Sequence, residues 1–287
     1  MGTTAELSAA LHAATARLAA AGVPSPRVDA ELLAAHLLDV SRGRVGAMAL
    51  AGADAPAGLD ELVAERARRA PLQHLTGVAH FRHLDLKVGP GVFVPRPETE
   101  TLAQLGIDAA RAAVAASGTA TVVDLGTGSG AVAAAIASEV PGTTVYAVEL
   151  SEHAAAWAER NLSPLGVELR VGDLRDAFAD LDGRVDVVVS NPPYIPAGAV
   201  PNEPEVRDHD PELALYGGGA DGMELPRAVE STARRLLVPG GYAAIEHAEV
   251  QERAMRALFE QAGGWGDVAG HLDLTERARC TSARLSG

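Results

Sequence analysis

Apolar residues recur at helical spacing through the first part of the chain, and then the period changes. Leu7, Leu11, Ala14 and Leu18 fall on one face and predict a helix ending near Gly22. Ser25-Pro26 reads as an N-cap with proline at the first helical position, opening a helix that carries Leu32, Leu33, Leu37 and Val40. A third helix is expected over residues 59–69, with Glu65 and Arg69 at i,i+4. Together these predict a small N-terminal bundle. Leu84, Leu86 and Val88 then alternate with Asp85 and Lys87, Gly89-Pro90-Gly91 turns, and Val92-Phe93-Val94 returns, which predicts a β-hairpin. Pro95-Arg96-Pro97-Glu98-Thr99-Glu100 stops that strand and lets a helix start.

From there strands and helices alternate. Strands are expected over residues 121–125, 144–149, 167–171, 185–190 and 242–246, followed by two late ones. Helices are expected over 131–138, 152–162, 225–237 and 250–262. Such alternation implies a parallel sheet with helices on both faces. Residues 197–210 and the run Gly217-Gly218-Gly219 are the loops expected to order on binding.

Composition narrows the partners. The 287 residues carry 47% hydrophobic and 22% charged side chains, enough for a substantial core and against a disordered chain. A formal net charge of −14 counts against free binding to DNA or RNA, which relies on a basic surface to displace counterions. Cys280 is the single cysteine, which fits a reducing cytosol. Met1-Gly2-Thr3-Thr4 lacks a basic leader, Glu6 stands where a myristoylation signal needs Ser or Thr, and no apolar run is long enough to span a bilayer. A cytoplasmic protein with no membrane partner is expected. Nothing demands more than a monomer, and no metal-ligand spacing is present.

Four loops carry the candidate chemistry. Asp124-Leu125-Gly126-Thr127-Gly128-Ser129-Gly130 sets a glycine turn between a strand and its helix, where backbone can approach a ligand closely. A dinucleotide site would space its glycines G-x-G-x-x-G; here the third comes one residue early. Glu149 ends the next strand, where a carboxylate can accept from both hydroxyls of a ribose. Asp173 follows the third strand, placed to accept from the exocyclic amine of a base or to cap a helix, with Leu174 beside it for the base's face. Asn191-Pro192-Pro193-Tyr194 ends the fourth strand: a rigid loop of polar acceptors and a flat aromatic wall, suited to holding a planar NH2 group.

Taken in this order, these motifs resemble class I S-adenosylmethionine-dependent methyltransferases that modify amide or amino nitrogen. More narrowly, the chain resembles the peptide chain release factor N5-glutamine methyltransferase family. Supporting segments are Pro71-Leu72-Gln73-His74-Leu75-Thr76-Gly77, the Phe93-to-Glu100 run, Pro211-Glu212-Leu213-Ala214-Leu215 and Pro239-Gly240-Gly241. The match runs from about residue 26 to the C-terminus. It departs at Glu149, where many members carry Asp, at Leu174, where some carry Trp, at Tyr216 for Asp, and at Glu246-His247-Ala248 for Glu-Ile-Gly.

The resemblance implies a Rossmann-like sheet of seven strands, mostly parallel with the last antiparallel. It also implies a helical substrate-recognition domain over residues 1–78 that recruits the release factor, a linking β-hairpin over 79–97, and a catalytic domain over 98–287. Asp124, Gly126, Thr127, Gly128, Ser129, Gly130, Glu149, Asp173, Leu174 and Asn191 would bind S-adenosylmethionine, which leaves as S-adenosylhomocysteine. Asn191, Pro192, Pro193 and Tyr194 would hold the glutamine of the release factor's Gly-Gly-Gln loop. Of these, Asn191, Pro192 and Tyr194 would be catalytic: the Asn191 side-chain oxygen and the Pro192 carbonyl accept from the glutamine NH2 while Tyr194 packs on the amide. The product would serve translation termination.

Three other readings compete. A nucleic-acid amino-methyltransferase (adenine N6 or cytosine N4) presents a similar NH2, but must extract a base and grip phosphates, which the acidic charge disfavours. A non-catalytic cofactor-binding module would have no use for an amide-orienting loop. A dinucleotide oxidoreductase is disfavoured by the glycine spacing.

Overall fold

A computed structural model describes residues 5–287, so the N-terminal reading at residues 1–4 lies outside it. The chain begins with α1 (Leu7–Ala20), α2 (Pro26–Leu38), α3 (Arg42–Leu50), α4 (Leu59–Ala67) and the short α5 (Leu72–Thr76). Then come β1 (Val78–Phe81), β2 (Leu84–Lys87), α6 (Glu100–Ser117), β3 (Ala120–Leu125), α7 (Ala131–Glu139), β4 (Thr143–Glu149), α8 (Glu152–Leu162), β5 (Glu168–Val171) and β6 (Val185–Ser190). It ends with α9 (Pro204–His209), α10 (Glu224–Leu236), β7 (Leu237–Glu246), α11 (Glu252–Ala262), β8 (Trp265–Leu272) and β9 (Ala278–Leu285).

Two compact units divide these elements. The first takes residues 5–78 together with Pro201–His209. Its core is the stripe the spacing predicted, with Leu7, Leu11 and Leu18 buried against Leu33, Val45 and Val63. Into it reaches Arg66, 5% exposed, whose Nε donates to Asp29 Oδ2 at 2.8 Å and whose Nη1 donates to Glu205 Oε1 at 2.8 Å. Arg69 adds a two-point grip, Nε to Oε1 at 2.7 Å and Nη2 to Oε2 at 2.6 Å of the same Glu205. Burial pushes Glu205 up, but these two guanidiniums outweigh it and hold the carboxyl at about 2. α9, within the expected loop at 197–210, therefore folds with the helices that precede it.

The second unit, Ala79–Val200 with Asp210–Gly287, holds a seven-stranded sheet in the order β5-β4-β3-β6-β7-β9-β8. β5, β4, β3, β6 and β7 run parallel, and the last strand, β9, is antiparallel to both its neighbours. Period two sorts each central strand between two cores. Val122, Val187 and Ala244 join α6 and α7 on one face; Val123, Val188 and Ile245 join α10 and α11 on the other. That is why these strands read as largely apolar runs instead of alternating ones.

Three expectations change. The hairpin turns at Arg82-His83 between β1 and β2, and Val92–Val94 is irregular. Gly89-Pro90-Gly91 instead wraps Trp157: its indole donates to the Pro90 carbonyl at 3.3 Å, and a β-carbon on Gly89 would meet the ring at 2.4 Å. β7 begins at Leu237, ahead of residue 242, with a register shift where it pairs with β6. α3 appears where no helix was expected. Among the described residues no helix is long and apolar enough to cross a membrane.

Candidate active site

The sheet order reverses between β3 and β6, since the chain moves outward through β4 and β5 before returning to lie beside β3. Ligands of open α/β sheets bind at the carboxyl ends of strands at such a switch point. Ser190 Oγ donates to the Leu125 carbonyl at 2.6 Å, so the ends of these two strands are bound together across it.

On the β3 side, the glycine loop is clamped from below. Asp124, 2% exposed, accepts from Thr127 Oγ1 at 2.6 Å and from the Ala133 N–H at 3.2 Å through the same oxygen. Burial pushes its carboxyl up to about 6 against the pull of those two donors. Ser129 and Gly130 pack toward α8: the Ser129 carbonyl accepts from Asn161 Nδ2 at 2.8 Å, and a β-carbon on Gly130 would meet Leu162 at 2.8 Å. Gly128 is different. Its φ is +58°, and nothing lies within 4 Å of where a β-carbon would stand, so the loop opens there on free space.

Glu149 meets that opening. Its Oε2 accepts from the Gly128 N–H and its Oε1 from the Ser151 N–H, both at 2.9 Å. Burial holds its carboxyl above the ordinary range. Two N–H donors leave further lone pairs on an ionised carboxylate, which can accept from a diol. Leu174, 9% exposed, lies 4.0 Å from the β-carbon position of Gly126 and supplies an apolar wall. A carboxylate for a ribose, an apolar face for a base and a bare backbone between them suit a nucleoside such as that of S-adenosylmethionine. Asp173 sits at the rim. Its carboxylate accepts from the Arg175 backbone N–H and guanidinium, each at 2.9 Å, which is the turn-capping arrangement.

On the β6 side stands Asn191-Pro192-Pro193-Tyr194. Pro192 is buried, and Asn191, Pro193 and Tyr194 are half-buried. This loop is held by backbone and side-chain hydrogen bonds together. Ile195 N–H donates to the Leu215 carbonyl at 2.9 Å and the Gly217 N–H donates to the Ile195 carbonyl at 3.0 Å. Gln251 Nε2 donates to the carbonyls of Tyr194 and Asp221 at 2.9 and 3.0 Å. The expected loop at 217–219 thus serves as a brace. Burial, with Glu246 nearby, pushes the Tyr194 phenol far above its ordinary range, so it stays protonated.

Two residues near this loop carried no role in the sequence reading. Asn191 Nδ2 donates to Thr99 Oγ1 at 3.3 Å, and Thr99 hydrogen-bonds Glu246 at the end of β7. A lone acid closing an apolar strand was the available signal for Glu246.

Comparison with known proteins fits this geometry. A model described as the PrmC N-terminal domain matches residues 9–77, and one described as the methyltransferase small domain matches residues 99–203. A release factor glutamine methyltransferase of Streptomyces coelicolor is 53% identical, covering 97% of this chain and 98% of its own length. One of Mycolicibacterium smegmatis is 47% identical over 96% and 97%. A 4-amino-L-phenylalanine/4-methylamino-L-phenylalanine methyltransferase of Streptomyces pristinaespiralis is 43% identical over 92% and 90%. Among solved structures, a methyltransferase from Pyrococcus furiosus aligns with TM-score 0.53 at 20% identity, over 78% of this chain and 98% of its own, and shares the fold.

Proposed function

The chain belongs to the release factor glutamine methyltransferase family, and from that premise we propose that it methylates the side-chain amide nitrogen of the glutamine in the Gly-Gly-Gln motif of peptide chain release factors. The observation that carries this reading is the placement of Asn191-Pro192-Pro193-Tyr194 on the strand next to the glycine loop, across the switch point. S-adenosylmethionine, when bound, supplies an electrophilic methyl on a sulfonium that is already a good leaving group. Gly126, Gly128, Glu149 and Leu174 line the space that would hold it; Asp124, Ser129 and Gly130 keep that loop in shape.

An amide nitrogen is a poor nucleophile because its lone pair is delocalised into the carbonyl. The Asn191 side-chain oxygen and the Pro192 carbonyl accept from the glutamine NH2, aim its lone pair at the methyl and favour pyramidalisation. Proline at 192 fixes φ, which keeps that carbonyl in place. The N–H proton becomes strongly acidic once the nitrogen is alkylated and is then lost to water, so no strong base is required. The helical unit recruits the release factor, and the protein works as a cytosolic monomer.

The Streptomyces pristinaespiralis relative favours a second reading, in which the NH2 belongs to an aminoarene. One experiment separates the readings. The purified chain is incubated with labelled S-adenosylmethionine and, in parallel, an unmethylated release factor, the same factor with its Gly-Gly-Gln glutamine changed to alanine, 4-amino-L-phenylalanine, tRNA, rRNA and DNA. Label is expected on the intact release factor alone. Label on the free amino acid or on nucleic acid instead overturns the assignment. Asn191→Ala is expected to lower kcat on the release factor by about 10²–10³-fold, as for loss of one oriented transition-state contact.

A further inference from the structure

Glu246 is 2% exposed, and its Oε2 finds no hydrogen bond among the described residues. Its carboxyl hydrogen-bonds the Thr99 hydroxyl, and Thr99, 3% exposed, meets Asn191 Nδ2 at 3.3 Å. Three residues from three separate segments thus form one line that ends in the Asn191 loop.

An ionised carboxylate carries no proton, so the Thr99 O–H must donate to Glu246. With its proton committed, Thr99 Oγ1 offers Asn191 only lone pairs, and only the NH2 end of that amide can meet them. The two ends of an asparagine amide are nearly the same size, so packing alone does not choose between them. Turned around, Asn191 would set N–H donors against the NH2 of a substrate. We propose that Glu246 and Thr99 are positioning residues that hold the Asn191 amide with its oxygen toward the substrate nitrogen, an inference that rests on the role given to Asn191 above.

The line also responds to pH. Burial pushes Glu246 up to about 7, opposed by Thr99 and Arg279. Facing it are Arg279 and Cys280 on β9, Asp273 in the β8–β9 turn, Glu98 ahead of α6, and Tyr194. Tyr194 and Cys280 are pushed upward by burial and Asp273 is held at about 2, so these three keep their charge near neutrality while Glu246 does not. As pH falls through about 7, Glu246 takes a proton and can itself donate to Thr99. The freed Thr99 hydroxyl then donates to the Asn191 amide oxygen, and the amide turns.

The test uses the full chain and the variants Thr99→Val, Thr99→Ser and Glu246→Gln. Thr99→Val is expected to lower kcat on the release factor about tenfold or more while S-adenosylmethionine affinity stays within about twofold, and Thr99→Ser is expected to recover most of the loss. In ligand-free wild type, the side-chain amide signals of Asn191 in a ¹⁵N spectrum should move with a midpoint near 7. Glu246→Gln, which cannot titrate, should abolish both that movement and the acid limb of kcat. Wild-type kcat in Thr99→Val, or amide signals indifferent to pH, overturns the proposal. Should the wild-type chain leave the release factor unlabelled, the functional reading fails, and the amide signals still decide whether Glu246 and Thr99 orient Asn191.

Discussion

A β-carbon at position 128 would meet nothing within 4 Å, whereas one at position 222 would stand 2.2 Å from the Tyr194 carbonyl oxygen. Both glycines adopt positive φ and both belong to loops at the carboxyl end of the sheet, yet they do opposite work. Gly128 leaves open space beside its backbone. Gly222, like Gly217, whose β-carbon would stand 2.2 Å from the Gly222 carbonyl oxygen, lets backbone pack directly on the backbone of the Asn191 loop. On the proposed function, the open β3 side would admit the methyl donor and the close-packed β6 side would hold the acceptor amide. That division suits a reaction in which one partner must enter and its demethylated product must leave while the other is held at a fixed angle.

Substitutions at the two kinds of glycine should separate these roles. Gly222→Ala drives a methyl into backbone and strains a left-handed residue, for a combined loss of roughly 3 kcal/mol. In a unit of this size that lowers Tm by about 6–12 °C, measurable by calorimetry, and methyl transfer should fall with it. Gly128→Ala costs only the conformational strain, about 1 kcal/mol, but its methyl enters the open space, so S-adenosylmethionine binding by titration calorimetry should weaken about tenfold. The smallest effect on stability is expected for Glu149→Gln. Neutralising it removes a charge that burial disfavours, but the new NH2 faces one of the two N–H donors the carboxylate accepted from, so the two effects offset and Tm should move little. Its affinity for the methyl donor should still drop severalfold, because one acceptor oxygen becomes a donor. Equal behaviour of Gly128→Ala and Gly222→Ala in both assays would erase the contrast.

Burial is legible in this sequence and local geometry less so. Val185–Ser190 is legible to the residue because a strand covered on both faces is a largely apolar run, broken here only by Asp186. α3 escaped because Gly43 and Gly46 weaken its helical pattern, although Ser41, whose Oγ accepts from the Arg44 N–H at 3.3 Å, marks its start. The hairpin was misplaced because its turn is made by Arg82 at φ +54°, a residue with no turn signature, while glycines and proline nearby signalled a turn that serves Trp157. The glycine loop and Asn191 loop were legible because each is a contiguous motif. Thr99 is 92 positions from Asn191, and no local pattern carries a contact of that range.

Glu205 has a further consequence, for how the chain can be cut. The helical unit closes only when Pro201–His209 returns to it, so the backbone passes between the units three times, at residues 78–79, 200–201 and 209–210. Neither unit is a cassette. A truncation starting at Ala79 leaves Glu205 without Arg66 and Arg69, and a helical region transplanted from a relative must bring its own partner for those guanidiniums. Chimaeras of family members joined at a single N-terminal seam should therefore fail unless residues 201–209 travel with the helices, and a second exchange at that segment should restore them.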